Sequence, residues 1–399
     1  MKLVRAFLGG MLAALVTTAY AQQGPVLIYG IMELSGTGAT PGTNFDNGVK
    51  LAVKEINAAG GILGRKIDYQ SQDTQTNPGV AKAVAQKAVD QKAYVVLGPV
   101  HSGSMIVSMG ETRQAEITNF TGGEAAVITK QNNPYVFRTS FTQSSSMPKV
   151  ARYIKDQLKA GTVAITFTNN DFGKGGRDEM QKALAAQGIK VVADVSTDPG
   201  QIDMSSAVLQ IKQANPDVLF AYLTEEEGAR LLRELKKQGF NKPIVGETTI
   251  IGQKVIELAG DAAEGVLGHV GLTADAPQPT VKAFDQKYLA EYKQRSDHNG
   301  MKGYSAVYVI KAATEKVGKF DSKALAAALH GAKISAKDNP GVLLDVSFDQ
   351  NGDLDRESFI IKVVNGKHQV IATVPAVGAK IGSAGIGPAR GACVRRRRA

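Results

Sequence analysis

From Pro25 onward the chain alternates two patterns. Short runs of consecutive apolar residues, such as VLIYGIM (Val26 to Met32), give way to polar-rich stretches whose apolar residues recur at helical spacing. The first pattern predicts buried strands and the second amphipathic helices. Strands are expected at Val26 to Met32, Lys66 to Ser71, Tyr94 to Gly98 and Ile117 to Phe120. Between the first two, Val49, Ala52, Val53 and Ile56 share one helical face, and Gly60-Gly61 supplies a stop. Such alternation implies a parallel sheet covered by helices on both sides.

After Tyr135 to Ser146 the pattern starts again. A helix is expected over Met147 to Lys159, then strands at Thr162 to Thr168, Ile189 to Val195, Asp217 to Leu223 and Pro243 to Gly246. The spacing is similar to that of the first set, so the chain is expected to build two similar α/β lobes. The final third carries helical patterns at Val281 to Tyr292 and Gly303 to Val317, then strand-like runs at Gly341 to Phe348, Ser358 to Val364 and Gln369 to Val374. This is too little for a third lobe, so the chain must cross between two lobes more than once. Crossings are expected near Thr139 to Gln143, His269 to Thr273 and Asp353 to Glu357. Residues 24–141 and 272–355 would then form the N-terminal lobe, and 142–271 and 356–375 the C-terminal lobe.

Composition agrees with this organisation. The 399 residues, 43% apolar and 21% charged, suffice for about two cores and do not resemble a disordered chain. The opening adds an export signal: Lys2 and Arg5, an apolar stretch from Ala6 to about Val16, then Ala19-Tyr20-Ala21 as a small-residue cleavage motif. Residues 1–21 read as a signal peptide, short for a membrane span, and no Cys follows to take a lipid. A soluble periplasmic protein is expected. The single cysteine, Cys393, leaves the folded body without an internal disulfide, so stability rests on the core.

The formal net charge of +10 suggests a polyanion partner until it is located. Two units belong to Lys2 and Arg5 and six to Lys380, Arg390 and Arg395 to Arg398, leaving +2 for the body. A nucleic-acid partner is therefore not expected. The tail 376–399 is Gly-, Ala- and Arg-rich without periodicity, either a basic arm or an unstructured extension, and the latter is expected.

The loop LSGTGATPG (Leu34 to Gly42) after the first strand raises the question of a phosphate cradle. A dinucleotide fingerprint needs a third glycine, and Pro41 stands there. Catalytic signals are equally thin. The histidines 101, 269, 298, 330 and 368 lack metal-ligand spacing, there is no G-x-S-x-G elbow, and only the adjacent His101 and Ser102 suggest a nucleophile with its base. Neither a metal nor a cofactor is expected. A secreted hydrolase is the alternative of another class.

The stretch SGTGATPGTNFDNGVKLAVKEINAAGGILGRKIDYQSQDTQTNPGVAKAVAQKAV, with its Gly42-to-Gly48 spacing, resembles the type I periplasmic substrate-binding proteins of ABC importers, in the Leu/Ile/Val-binding branch. YVVLGPVHSGS, PYVFRTS, NNDFGKGG, LLRELKKQGF, GDAAEGV and FDQNGDLDRESFIIKVVNG extend the likeness over about residues 25 to 374. The resemblance implies two lobes on a three-segment hinge, closing on a small carboxylate-bearing solute for delivery to an ABC permease, with a monomer and no enzyme activity. It makes the first loop the rim of a cleft.

The same resemblance points to particular residues. Ser102, with Gly103 beside it at a helix start, matches a carboxylate-binding serine, and Gly123 matches a carbonyl anchor. Ala125 stands where a hydroxyl is usual, which weakens the fit to an ordinary amino acid. Phe172 matches a covering aromatic and Thr224 a further contact. An acid that pairs the ligand ammonium in branch members falls on Glu247, or its place on Thr248. Pro41 replaces an aromatic, leaving room for a bulkier ligand. Glu33 either points into the cleft or caps the loop. The ligand expected is an amino acid, branched-chain or bulkier; the alternative is an aromatic acid, urea or short amide.

Overall fold

The computed structural model describes residues 24–376. The expected leader and all but the first residue of the expected tail lie outside that range. The first lobe opens with β1 (Val26–Met32), α1 (Ala39–Ala58), β2 (Ile67–Asp73), α2 (Pro78–Asp90), β3 (Val95–Leu97), α3 (Ser102–Gln114), β4 (Thr118–Thr121) and β5 (Val136–Arg138). These strands form a parallel sheet of order β2-β1-β3-β4-β5. The unbroken apolar run of β1 follows from burial on both faces. Ile28 and Met32 pack into one core with Val49 and Ile56 of α1, whereas Tyr29 and Ile31 face Ala81, Val84 and Ala88 of α2.

The second lobe repeats the plan with α4 (Gln143–Asp156), β6 (Thr162–Thr168), α5 (Asp171–Ala186), β7 (Lys190–Thr197), α6 (Ser205–Ala214), β8 (Val218–Tyr222), α7 (Glu225–Lys237), β9 (Ile244–Glu247), α8 (Gln253–Ala259) and β10 (Leu267–Val270). Then follow α9 (Pro279–Tyr292), α10 (His298–Val317), α11 (Ser322–Leu329), β11 (Lys333–Ile334), β12 (Val346–Phe348), β13 (Leu354–Asp355), β14 (Ser358–Val364) and β15 (Lys367–Val374). The second sheet has the order β7-β6-β8-β9-β10-β14-β15, and β11 to β13 form a small antiparallel sheet of their own. The fold is two α/β lobes.

Three sequence expectations need correction. The second sheet is mixed, because β14 runs antiparallel to β10 with Phe359 opposite Val270, and β15 antiparallel to β14. A chain that re-enters the lobe at the end where β10 leaves it must run the other way. The run Gly341 to Phe348 is strand only over Val346–Phe348; Pro340–Val342 is a 3₁₀ turn and Leu343 takes φ 68°, so this apolar run is buried without being extended. Helices α4 and α10 begin four and five residues before the apolar periodicity that located them. Their first turns are polar, capped at α10 by Asp297, which accepts from the Gly300 N–H at 2.9 Å.

Helix α10 lies along α1, which explains the glycine spacing of the first helix. A Cβ on Gly48 would stand 1.9 Å from the Gly300 carbonyl oxygen, and one on Gly42 2.0 Å from that of Glu33. Gly42, one place after Pro41, is thus the close-packing glycine. Gly48→Ala is expected to destabilise by about 1–3 kcal/mol through overpacking, seen as a lower urea midpoint with unchanged slope. A shift equivalent to less than about 0.5 kcal/mol would show that the helices separate freely.

Candidate functional site

In a doubly wound sheet ligands sit beyond the carboxyl ends of the strands, at the switch in strand order. A cavity lies there between the lobes. The first lobe lines it with Pro41 after β1, Val100 to Ser102 after β3, and Gly122 and Glu124 after β4; the second with Phe172 after β6, Thr224 and Glu225 after β8, and Thr249 after β9. His298, Asn299 and Lys302 from the first turns of α10 complete the wall. The lobes also touch across it: Thr40 Oγ1 donates to Glu226 Oε1 at 2.9 Å, and the Tyr222 hydroxyl to Glu124 Oε2 at 3.1 Å.

One end of the cavity suits an anion. Ser102 begins α3, whose first backbone N–H groups have no partner within the helix. Its Oγ accepts from the Glu124 and Ala125 N–H groups, each at 3.2 Å, leaving the hydroxyl proton to donate elsewhere. The loop before it is held by Glu33, which accepts from Val100 N–H at 3.0 Å and His101 N–H at 3.2 Å. Glu33 is therefore the cap of this loop. His101 packs its Nε2 where a Cβ on Gly38 would stand, at 2.7 Å, while amides hold the Ser102 oxygen.

The remaining wall is rich in buried charge. Glu124 accepts from Lys302 Nζ at 3.0 Å as well as from Tyr222. Burial pushes its carboxyl above the usual range, opposed by the Lys302 charge. Burial pushes Glu225 up to about 8. His298 is held well below its ordinary value by burial and by the charge of Lys302. The imidazole is thus neutral at neutral pH.

The residues expected from sequence divide into three groups. Ser102, Phe172 and Thr224 line the cavity, and Phe172 stacks on Tyr222 with ring centroids 4.2 Å apart. Gly103, Gly123 and Ala125 flank it: a Cβ on Gly103 would meet Asp171 Oδ2 at 3.1 Å, and Arg138 occupies the Gly123 and Ala125 carbonyls at 2.6 and 2.8 Å. Glu247 and Thr248 line a smaller adjoining cavity with Glu124, His298 and Lys302. There Glu247 accepts from His269 Nδ1 at 2.9 Å and from the Thr248 N–H at 2.6 Å. Burial alone would raise this carboxyl, but those hydrogen bonds outweigh it and carry it below the usual carboxylate range.

Sequence reasoning missed Glu124, Glu225, His298, Asn299 and Lys302. A signal existed for the last three: polar residues at positions 298, 299 and 302 stand just ahead of the apolar part of α10 and share its buried side. Among the described residues no group of three or more His, Cys, Asp or Glu could hold a metal, and no helix is long and apolar enough to cross a membrane.

Residues 27–368 match the family model described as periplasmic binding protein. The chain belongs to this family. Among its periplasmic binding protein relatives, the Leu/Ile/Val-binding protein BraC3 of Rhizobium johnstonii is 30% identical over 331 residues, 82% of this chain and 89% of that one. The substrate binding protein LivJ of Streptococcus pneumoniae, solved with isoleucine, superposes with a TM-score of 0.80 at 24% identity, covering 88% and 99% of the two chains. A solute binding protein of R. palustris solved with benzoate does so at 0.81 and 22%, covering 90% and 98%. As a periplasmic binding protein, this chain has relatives that bind solutes, and the place of its cavity between the lobes suits that activity.

Proposed function

We propose that the chain is a monomeric periplasmic receptor that captures an amino acid and delivers it to an ABC importer permease. The observation that carries this reading is the Ser102 hydroxyl at the start of α3, aimed by two amides on the wall of a cavity shared by both lobes. A ligand carboxylate placed there gains the hydroxyl, the free N–H groups and the helix dipole. Residues 24–141 and 272–355 move as one lobe, and 142–271 and 356–375 as the other. Contacts from both stabilise the closed state, which is what couples binding to closure. The 30% identity to a Leu/Ile/Val-binding protein supports an amino acid. Phe172 on the cavity wall, backed by the stacked ring of Tyr222, the missing hydroxyl at Ala125 and the benzoate-bound neighbour support an aromatic acid as the second reading.

Thermal-shift screening of amino acids, aromatic acids and short amides tests the proposal, with stabilisation and recovery of unchanged ligand expected. Ser102→Ala should then weaken binding of the hit about ten- to a hundredfold, the worth of a charged hydrogen bond at ~1.5–3 kcal/mol. Turnover of the hit, abolished by the same variant, would instead favour a hydrolase.

A further inference from the structure

The smaller cavity beside the main one is lined throughout by buried residues. Three connecting stretches contribute to it: Ser140 and Phe141 between β5 and α4, Gly271 and Leu272 after β10, and Arg356 between β13 and β14. The proposed lobe boundaries make these stretches the crossings. They pack on one another, since a Cβ on Gly271 would stand 2.8 Å from the Phe141 ring and 3.4 Å from Arg356 Nη2.

Arg356 is the charge that nothing so far explains. It is only 3% exposed and forms no ion pair among the described residues. Its Nη2 donates to the Thr139 carbonyl over a long 3.4 Å, and its Nε is buried without a partner. Nη1 has none among the described residues either but, unlike Nε, keeps accessible surface. The guanidinium lies 5.8 Å from the centre of the Phe141 ring, and the Lys149 ammonium 4.1 Å from the same centre. Lys149 donates to Ser358 Oγ at 3.2 Å and forms no ion pair among the described residues.

The other charges here are matched. Lys302 has Glu124 at 3.0 Å, and Glu247 accepts from His269, which burial holds neutral, as it does His298. With Glu124 set against Lys302, and Glu247 against either Arg356 or Lys149, one positive charge is left among these buried side chains. Asp355 also acts on Lys149, but it is partly exposed and screened by water. Burial pulls both cations below their ordinary values, Lys149 to about 8 and Arg356 to about 9. A buried charge without a partner is costly.

We propose that this cavity binds a small inorganic anion, of the size of chloride, as the counter-charge of Arg356. Enclosure by buried residues selects an anion that sheds its water readily, so chloride, bromide and nitrate should enter ahead of sulfate or phosphate. The site does not depend on which solute the main cavity takes. Its effect on that solute rests on the receptor reading above: lobe rotation about the crossings would open the cavity and wet Arg356, so the anion favours the closed arrangement and tightens any ligand that favours it too.

The test uses the full chain and its Arg356→Met and Arg356→Gln variants at pH 7, with chloride, bromide, nitrate and gluconate as sodium salts at constant ionic strength. As chloride replaces gluconate up to about 0.2 M, the melting temperature of the wild type should rise by about 2–5 °C and level off. Bromide and nitrate should do the same. In both variants these anions should act no differently from gluconate beyond the general salt effect shared with the wild type. Should the variants fail to fold, wild-type crystals grown in bromide decide, with anomalous scattering expected to place an ion beside the Arg356 guanidinium. A wild type indifferent to these anions, a full response in Arg356→Met, or water instead of bromide in the cavity would each overturn the site. An anion response in a protein that binds none of the amino acids, aromatic acids or amides would support the site and count against the receptor reading alone.

Discussion

Arg138→Met is expected to destabilise the protein by about 3–5 kcal/mol, the usual cost of removing one partner from a buried charged network. Arg138 ends β5 and is fully buried. Its Nη1 donates to the Gly123 carbonyl, Nη2 to the Ala125 carbonyl and Thr129 Oγ1, and Nε to Asp353 Oδ1. Removing the guanidinium leaves two carbonyls without these donors, each worth about 1–3 kcal/mol when left unmet; Asp353, partly exposed, can recover water. Arg138→Lys keeps the charge but cannot reproduce the fork, so it should fall between the two. Urea denaturation checks this, and a loss below about 1 kcal/mol for the Met variant would refute it.

The position of Arg138 ties this stability to the site. The segment it holds, Gly123 to Ala125, contributes the N–H groups that aim Ser102, and Asp353 stands just before β13, where the chain prepares to re-enter the second lobe. One buried cation thus fixes the anion end of the cavity to a strand that leads out of the lobe.

Such residues mark the boundary of what the sequence discloses. Val26 to Met32 was legible as a strand to the residue, because a strand buried on both faces is apolar throughout. The edges of other strands moved by one or two positions, as at Ile67–Asp73, where the exposed face of β2 carries Asp68, Gln70 and Gln72. The first turn of α10 was missed for a more instructive reason. Hydrophobic periodicity finds a helix by the face it buries in a core, and His298, Asn299 and Lys302 line the cavity instead. The signal that locates the fold is thus weakest where the site is built. Partnering is hidden as well. Glu225 and Glu226 are neighbours in sequence, yet Glu226 reaches Thr40 of the other lobe while Glu225 is buried against the cavity. Nothing local in the sequence distinguishes Glu247, engaged by His269 twenty-two positions away, from a free acid.

Lys302→Met is expected to cost about 3–5 kcal/mol at pH 8, because it leaves the Glu124 carboxylate buried without its cation. The loss should depend on pH in a definite direction. Burial already raises the Glu124 carboxyl, and Lys302 is the charge that opposes it; without Lys302 the folded value rises further above that of the unfolded chain. A group shifted that way stabilises the folded state while protonated and ceases to as pH rises through its folded value. The variant should therefore approach the wild type near pH 5 and fall away from it by up to roughly 1.4 kcal/mol per pH unit until Glu124 ionises. Adding Glu124→Gln removes the stranded charge but keeps an oxygen for the Tyr222 hydroxyl. The double variant should regain most of the loss at pH 8, with a coupling energy of about 0.5–3 kcal/mol between the two sites. A loss independent of pH, or a double variant no better than Lys302→Met alone, would mean that Lys302 acts through packing and not through its charge. Since Glu124 and Lys302 belong to the first lobe and Tyr222 to the second, the same measurements on ligand affinity report whether this pair is the platform on which the second lobe settles.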